Sequence, residues 1–127
     1  MKKTIISSDQ APAAIGPYSQ AVMAGGFLYL SGQIPLNPQT MQIEGDTINT
    51  QTEQVFANIG AILISAKLDF SDAIKVVVYL TDLADFTKVN EIYAKYIPAP
   101  FPARTTVQVA ALPRGAKIEI ELTALLK

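Results

Sequence analysis

The sequence predicts an α+β domain, a mixed β-sheet with two helices packed on one face. Three observations predict it. Six stretches alternate in polarity or are β-branched. Two longer stretches instead repeat apolar residues every three or four positions. Their order, βββ-α-β-α-ββ, interleaves helices with strands, as crossover connections require.

Residues 2–6 make a short first strand, and "SSDQAPAAIGP" after them is broken by Pro12, Gly16 and Pro17. Residues 18–24 and 27–34 alternate about Gly25-Gly26, a pair that tolerates the positive φ of a tight hairpin. Val55, Phe56, Ile59, Ile62, Leu63 and Ala66 line one side of a long helix that Asp46 or Thr47 can cap. "AIKVVVYLT", residues 73–81, is apolar on both faces and reads as a central strand. Asp82 or Asp85 can cap a second helix over residues 86–97, with Phe86, Val89, Tyr93 and Tyr96 or Ile97 inward and Pro98, Pro100 and Pro102 stopping it. "RTTVQVAAL" and "KIEIELTALL" about the turn "PRGA" predict a closing hairpin, which sets Glu119 opposite residues 109–111.

In the last strand Ile118, Ile120, Leu122 and Ala124 share one face and are expected to meet the helices. The other face gathers Glu119, Val77, Tyr79 and Val107 or Thr106, too apolar a set to stay in water, which marks it as an oligomer interface.

At 127 residues the chain reads as one domain, residues 1–127, without repeats or linkers. Half of it is apolar and 17% is charged, against roughly 25% in an average soluble domain, in keeping with buried surface between subunits. The absence of cysteine removes disulfides and thiol chemistry, and the absence of histidine removes the commonest general base and nearly all zinc sites. Ten basic and eleven acidic side chains give a net charge of -1 and no basic run for nucleic acid. "MKKTIISSDQ" lacks the apolar core of a signal peptide, and no stretch is long enough to span a membrane, so a cytoplasmic protein is expected.

Arg104, in "FPARTTV", is either a solvated charge at a strand start or a guanidinium fixed by its proline-rich lead-in to grip a carboxylate. Glu119 and Glu121 share a strand face, either as plain surface or with Glu119 orienting a water. Tyr18 and Ser31 bring a phenol and a hydroxyl to strand ends, and Asn90 is a poor helix former that points at solvent or into a site.

Four blocks in this order, "IGPYSQA" (15–21), "SGQIP" (31–35), "FPART" (101–105) and "IEIE" (118–121), resemble the RidA/YjgF family of reactive intermediate (enamine/imine) deaminases. The likeness runs over essentially the whole chain. It implies a chorismate-mutase-like fold, a homotrimer with ligand clefts between subunits, and no cofactor or metal. It also implies hydrolysis of imines and enamines of the 2-aminoacrylate and 2-aminocrotonate type, made by pyridoxal-phosphate-dependent dehydratases, to 2-keto acids and ammonia. By the resemblance Arg104 binds the substrate carboxylate, Glu119 positions water, and Tyr18, Ser31 and Asn90 line the cleft. Thr106 stands where many relatives carry cysteine and contact substrate through the backbone. That change and the short "IPAP" connection at 97–100 bear on substrate size. A non-catalytic module binding small carboxylates is the alternative, and RNA cleavage is disfavoured by the near-neutral charge.

Overall fold

The computed structural model describes residues 2–127. Strand β1, Thr4–Ile6, pairs antiparallel with β2, Ala21–Ala24, which turns through Gly25 and Gly26, at φ 59° and 88°, into β3, Phe27–Gln33. Helix α1, Ile48–Ser65, starts at Thr47, whose hydroxyl accepts from the Thr50 amide; Thr47 rather than Asp46 is the cap. Strand β4, Ala73–Leu80, leads through a short 3-10 turn, capped by Asp82, into helix α2, Phe86–Tyr96. Strands β5, Ala103–Gln108, and β6, Ile118–Leu125, complete a six-stranded sheet in the order β1-β2-β3-β6-β4-β5. No helix among the described residues is long and apolar enough to cross a membrane.

The closing hairpin expected from the sequence does not form. Strand β6 lies between β3 and β4, antiparallel to both, while β5 runs parallel to β4 at the sheet edge. Glu119 therefore faces Tyr79 and not residues 109–111. The physical reason lies in β4: Val76, Val78 and Leu80 are buried, while Val77 and Tyr79 on the other face are half-buried. A strand apolar on both faces gains most in the interior of a sheet, with a neighbour on each edge. The "PRGA" segment is a 3-10 turn, Pro113–Gly115, that redirects the chain.

Ile118, Ile120, Leu122 and Ala124 are buried as their alternation requires, in one cluster with Val76 and Val78 from β4, Leu28 and Leu30 from β3, and the inner sides of both helices. Phe56 of α1 joins the helices: its ring stacks on Tyr96 at 4.7 Å and meets Tyr93 edge-on at 5.9 Å. Ile92 is also buried on α2, beside the expected Val89 and Tyr93.

Among the described residues the opposite sheet face carries no helix. It presents Ile5, Tyr29 and Val107, all exposed, around Val77, Tyr79 and Glu121. Of the two residues expected there, Val107 is on this face. Thr106 pairs with the buried Val78 and so belongs to the helix side.

Candidate functional site

The parity of two registers separates the candidate residues. Arg104 lies opposite Val76, whose side chain points to the helices, and Glu119 lies opposite Tyr79, which points away. Within one chain Arg104 and Glu119 therefore occupy opposite faces of the sheet, and two separate hollows hold the candidates.

The first hollow, about 350 Å³, is lined by Tyr18, Ser31, Gly32 and Glu119 with Pro12, Ala13 and Ile34. Its walls are fixed by side chains that bond the backbone. Gln20, buried, accepts from the Ser8 amide at 2.6 Å and donates to the Pro12 carbonyl at 2.7 Å, holding the entry loop in place. The Ser31 hydroxyl donates to the Ser19 carbonyl at 2.6 Å, so it can still accept a bond from a ligand. Tyr18 is 55% exposed and lines the same hollow.

The Glu119 carboxylate makes no hydrogen bond among the described residues and rests against the bare Cα of Gly32. A Cβ at Gly32 would stand 2.8 Å from the Glu119 carboxyl carbon and closer still to Oε2. Gly32 is outside the left-handed region, so its backbone could suit other residues; the missing side chain is what the carboxylate uses. Burial, with the Glu121 carboxylate two residues on, pushes the Glu119 carboxyl above its ordinary value. A carboxylate so placed is a competent proton acceptor. Glu121 itself accepts the Tyr79 hydroxyl, which raises that phenol to about 12.

The second hollow, about 630 Å³, lies along α2 and is lined by Phe86, Asn90, Tyr93, Phe101, Pro102 and Arg104. The Arg104 guanidinium donates to Asn90 Oδ1 at 2.7 Å and lies 4.8 Å from the Tyr93 ring centroid and 5.4 Å from that of Phe86. The two rings hold the cation against α2. Asn90 thus points into the site, and its weak helix propensity is offset by this bond. Thr106 sits two residues beyond Arg104 on the same face. No three acidic side chains converge among the described residues, so the donors for a hard cation are not assembled.

Tyr18, Ser31 and Glu119 are thus brought together, as are Asn90 and Arg104, and the two groups are kept apart. Gly32, Gln20, Phe86 and Tyr93 escaped the reading of the sequence as site residues. Gln20 and Gly32 lie inside the quoted "IGPYSQA" and "SGQIP" blocks, and Gly32 left a further signal as a glycine in the interior of a strand.

Comparison with known proteins agrees with this arrangement of elements. The family model described as Endoribonuclease L-PSP matches residues 8–126. The chain is 53% identical over 126 residues to Reactive Intermediate Deaminase A, chloroplastic, of Arabidopsis thaliana, covering 99% of this chain and 67% of that one. It is 46% identical over 123 residues to the human 2-iminobutanoate/2-iminopropanoate deaminase, covering 97% and 90%. The crystal structure of YyfA from Yersinia pestis, a protein of unknown function in the conserved Rid family, superposes with a TM-score of 0.96 at 45% identity over 98% of this chain and 100% of that one. With the six-stranded mixed sheet, its two helices and these matches in hand, the chain belongs to the YjgF/RidA family of Rid proteins.

Proposed function

We propose that the protein hydrolyses short-lived 2-imino and 2-enamino carboxylates to 2-keto acids and ammonia, in clefts between the subunits of a homotrimer. The observation that carries this reading is the split site. A guanidinium held by Asn90 and a half-buried carboxylate lie on opposite faces of one sheet. A cleft that uses both takes Arg104, Asn90 and Thr106 from one chain and Tyr18, Ser31 and Glu119 from its neighbour. The uncovered sheet face, with Tyr29 49% and Ile5 52% exposed, supplies the surface for association. The deaminase names of the Arabidopsis and human relatives support the same chemistry.

In this reading Arg104 donates two charge-assisted bonds to the substrate carboxylate, each contributing roughly 1.5–3 kcal/mol. Glu119 accepts a proton from a water directed at the imine carbon. The oxygen adds to that carbon, the C=N bond becomes a C–N bond, and Glu119 hands its proton to the nitrogen; the carbinolamine then collapses, its hydroxyl proton also passing to nitrogen, which expels ammonia and leaves the C=O of the keto acid. The imine carbon is already electrophilic, so holding the acid and one water supplies most of the catalysis. The substrates are products of pyridoxal-phosphate-dependent dehydratases acting on serine and threonine. RNA cleavage is less well supported: the lining of the two hollows has Arg104 as its one basic side chain, against Glu91 and Glu119.

The test adds the protein to a threonine dehydratase reaction and follows the imine by semicarbazide trapping. Faster keto-acid release is expected, with a loss of about a hundredfold or more in Arg104→Ala. Full activity in Arg104→Ala would remove the anchor. Binding of 2-keto acids that depends on Arg104, with no effect on any imine, would favour the non-catalytic module.

A further inference from the structure

Strand β6 sets two carboxylates on one face, and the proposed reaction uses only one of them. Glu119 and Glu121 are both half-buried, alternate onto the sheet face away from the helices, and lie about 7 Å apart along the strand. Their chemistry is the same, so their surroundings have to tell them apart.

Tyr79 of β4 does so. It stands directly opposite Glu119, yet its hydroxyl donates to Glu121 on the diagonal. A phenol bonded to Glu119 would stabilise that anion and weaken it as an acceptor of a proton from water. Bonded to Glu121 it has the opposite effect: it occupies one carboxylate, holds that charge in place, and leaves the other bare over Gly32. The bond also pushes the phenol up to about 12, so the hydroxyl keeps its proton and goes on donating near neutral pH. The remaining groups around Glu119 do not cancel the Glu121 charge. Strand β3 offers Ser31 and Gly32, and the rest of the hollow offers Tyr18 and Pro113, none of them a cation. Lys117 precedes Glu119 by two residues and makes no ion pair with it among the described residues.

We propose that Tyr79 and Glu121 are positioning residues for the proposed hydrolysis, the phenol locking Glu121 as a spectator anion so that Glu119 alone meets the water. Glu121 acts through its charge, and Tyr79 acts through Glu121. The inference rests on Glu119 as the proton acceptor, and it accounts for a second glutamate on the same face that does not compete for the water.

The experiment records kcat, KM and the pH-rate profile of imine hydrolysis for the assembled protein and for Glu121→Gln, Tyr79→Phe and the two combined. Glu121→Gln keeps an acceptor for the phenol but removes the charge. Its acid limb is expected at lower pH than the parent's, with kcat down about two- to fivefold and KM unchanged. Tyr79→Phe keeps the charge but releases it. The two carboxylates then share a proton, and the acid limb is expected to spread over a wider pH range with kcat down about tenfold. Because the phenol acts only through Glu121, the combined variant is expected to match Glu121→Gln alone. An acid limb in the parental position in Glu121→Gln overturns the proposal, and so do losses that multiply in the combined variant. Glu121→Asp supplies a charged but shorter side chain should glutamine prevent assembly, and is expected to behave as Tyr79→Phe does; a parental profile there overturns the proposal too. Glu119→Gln is the separate control: if it hydrolyses imines like the parent, Glu119 is not the base and the proposed reaction itself fails, whatever Glu121 does.

Discussion

In the proposed reaction Glu119 and Gly32 act as a pair. The carboxylate is half-buried, lacks a side-chain partner, and is held above its ordinary value first by burial and then by Glu121. Ionised Glu119 therefore opposes folding. The sign follows from the raised value: below 4.5 the folded and unfolded chains both carry the proton and no cost arises, while at neutral pH the folded chain bears a charge it disfavours. Glu119→Gln is expected to melt higher than the parent at pH 7, to converge with it at pH 4, and to lose about 10²–10⁴-fold in kcat; paired melting curves and dehydratase-coupled rates check this. Gly32→Ala acts on the same carboxylate from below. Its Cβ displaces a flexible side chain and not the backbone, so the fold is expected to survive. The carboxylate moves off its seat toward water, kcat falls about a hundredfold, and the acid limb of the pH-rate profile shifts to lower pH. An unchanged profile in Gly32→Ala would show that the seat does nothing for catalysis.

At the scale of elements, the joint between α1 and α2 bears on the site directly, because α2 carries the Phe86, Asn90 and Tyr93 that hold Arg104. Phe56 is fully buried and touches Phe70, Tyr93 and Tyr96. Phe56→Ala is expected to cost about 3–5 kcal/mol, read by urea unfolding, and to loosen 2-oxobutanoate binding through Tyr93. The joint has an outer tie as well: Glu53 of α1 accepts from both Lys95 and Tyr96 of α2. These bonds lower the Glu53 carboxyl and raise the Tyr96 phenol to about 12. Most elements were legible in the sequence. Alternation in "IEIELTAL" gave β6 and its buried face, and Gly25-Gly26 gave the first turn. Neighbourhood was not legible, because "PRGA" between two alternating stretches carries the signals of a hairpin. What overrides them is the demand of β4 for a partner on each side, a tertiary effect that no local window contains. The separation of Arg104 from Glu119 follows from that one insertion, and Gln20 and Gly32 take their meaning from neighbours far along the chain.

Over the whole molecule the division of the site makes a quantitative demand. If each cleft takes Arg104 from one chain and Glu119 from the next, two inactive variants can repair each other. Arg104→Ala and Glu119→Gln, unfolded together and refolded as an equal mixture, are expected to regain roughly a quarter of the parent rate. That fraction is the chance that both halves of a given cleft come from the intact member of each pair. Each variant refolded alone stays inactive. Failure of the mixture to recover, with mixed oligomers verified by mass spectrometry, would place the site within one chain. The same result would undo the role assigned to the uncovered sheet face with Ile5, Tyr29 and Val107.

Strand β6 has a further consequence, in the order of events during synthesis. It is the last of the six strands to leave the ribosome, yet it occupies the middle of the sheet, bonded to β3 on one side and β4 on the other. Until it emerges, the nascent chain holds two strands with their inner edges unsatisfied and a hydrophobic core lacking Ile118, Ile120 and Leu122. Folding of this sheet therefore waits until β6 has emerged, and the interval is one in which exposed edges invite pairing with other chains. A chain stopped short of β6 loses the centre of the sheet and not its margin, so it is expected to remain unfolded and to go to proteolysis.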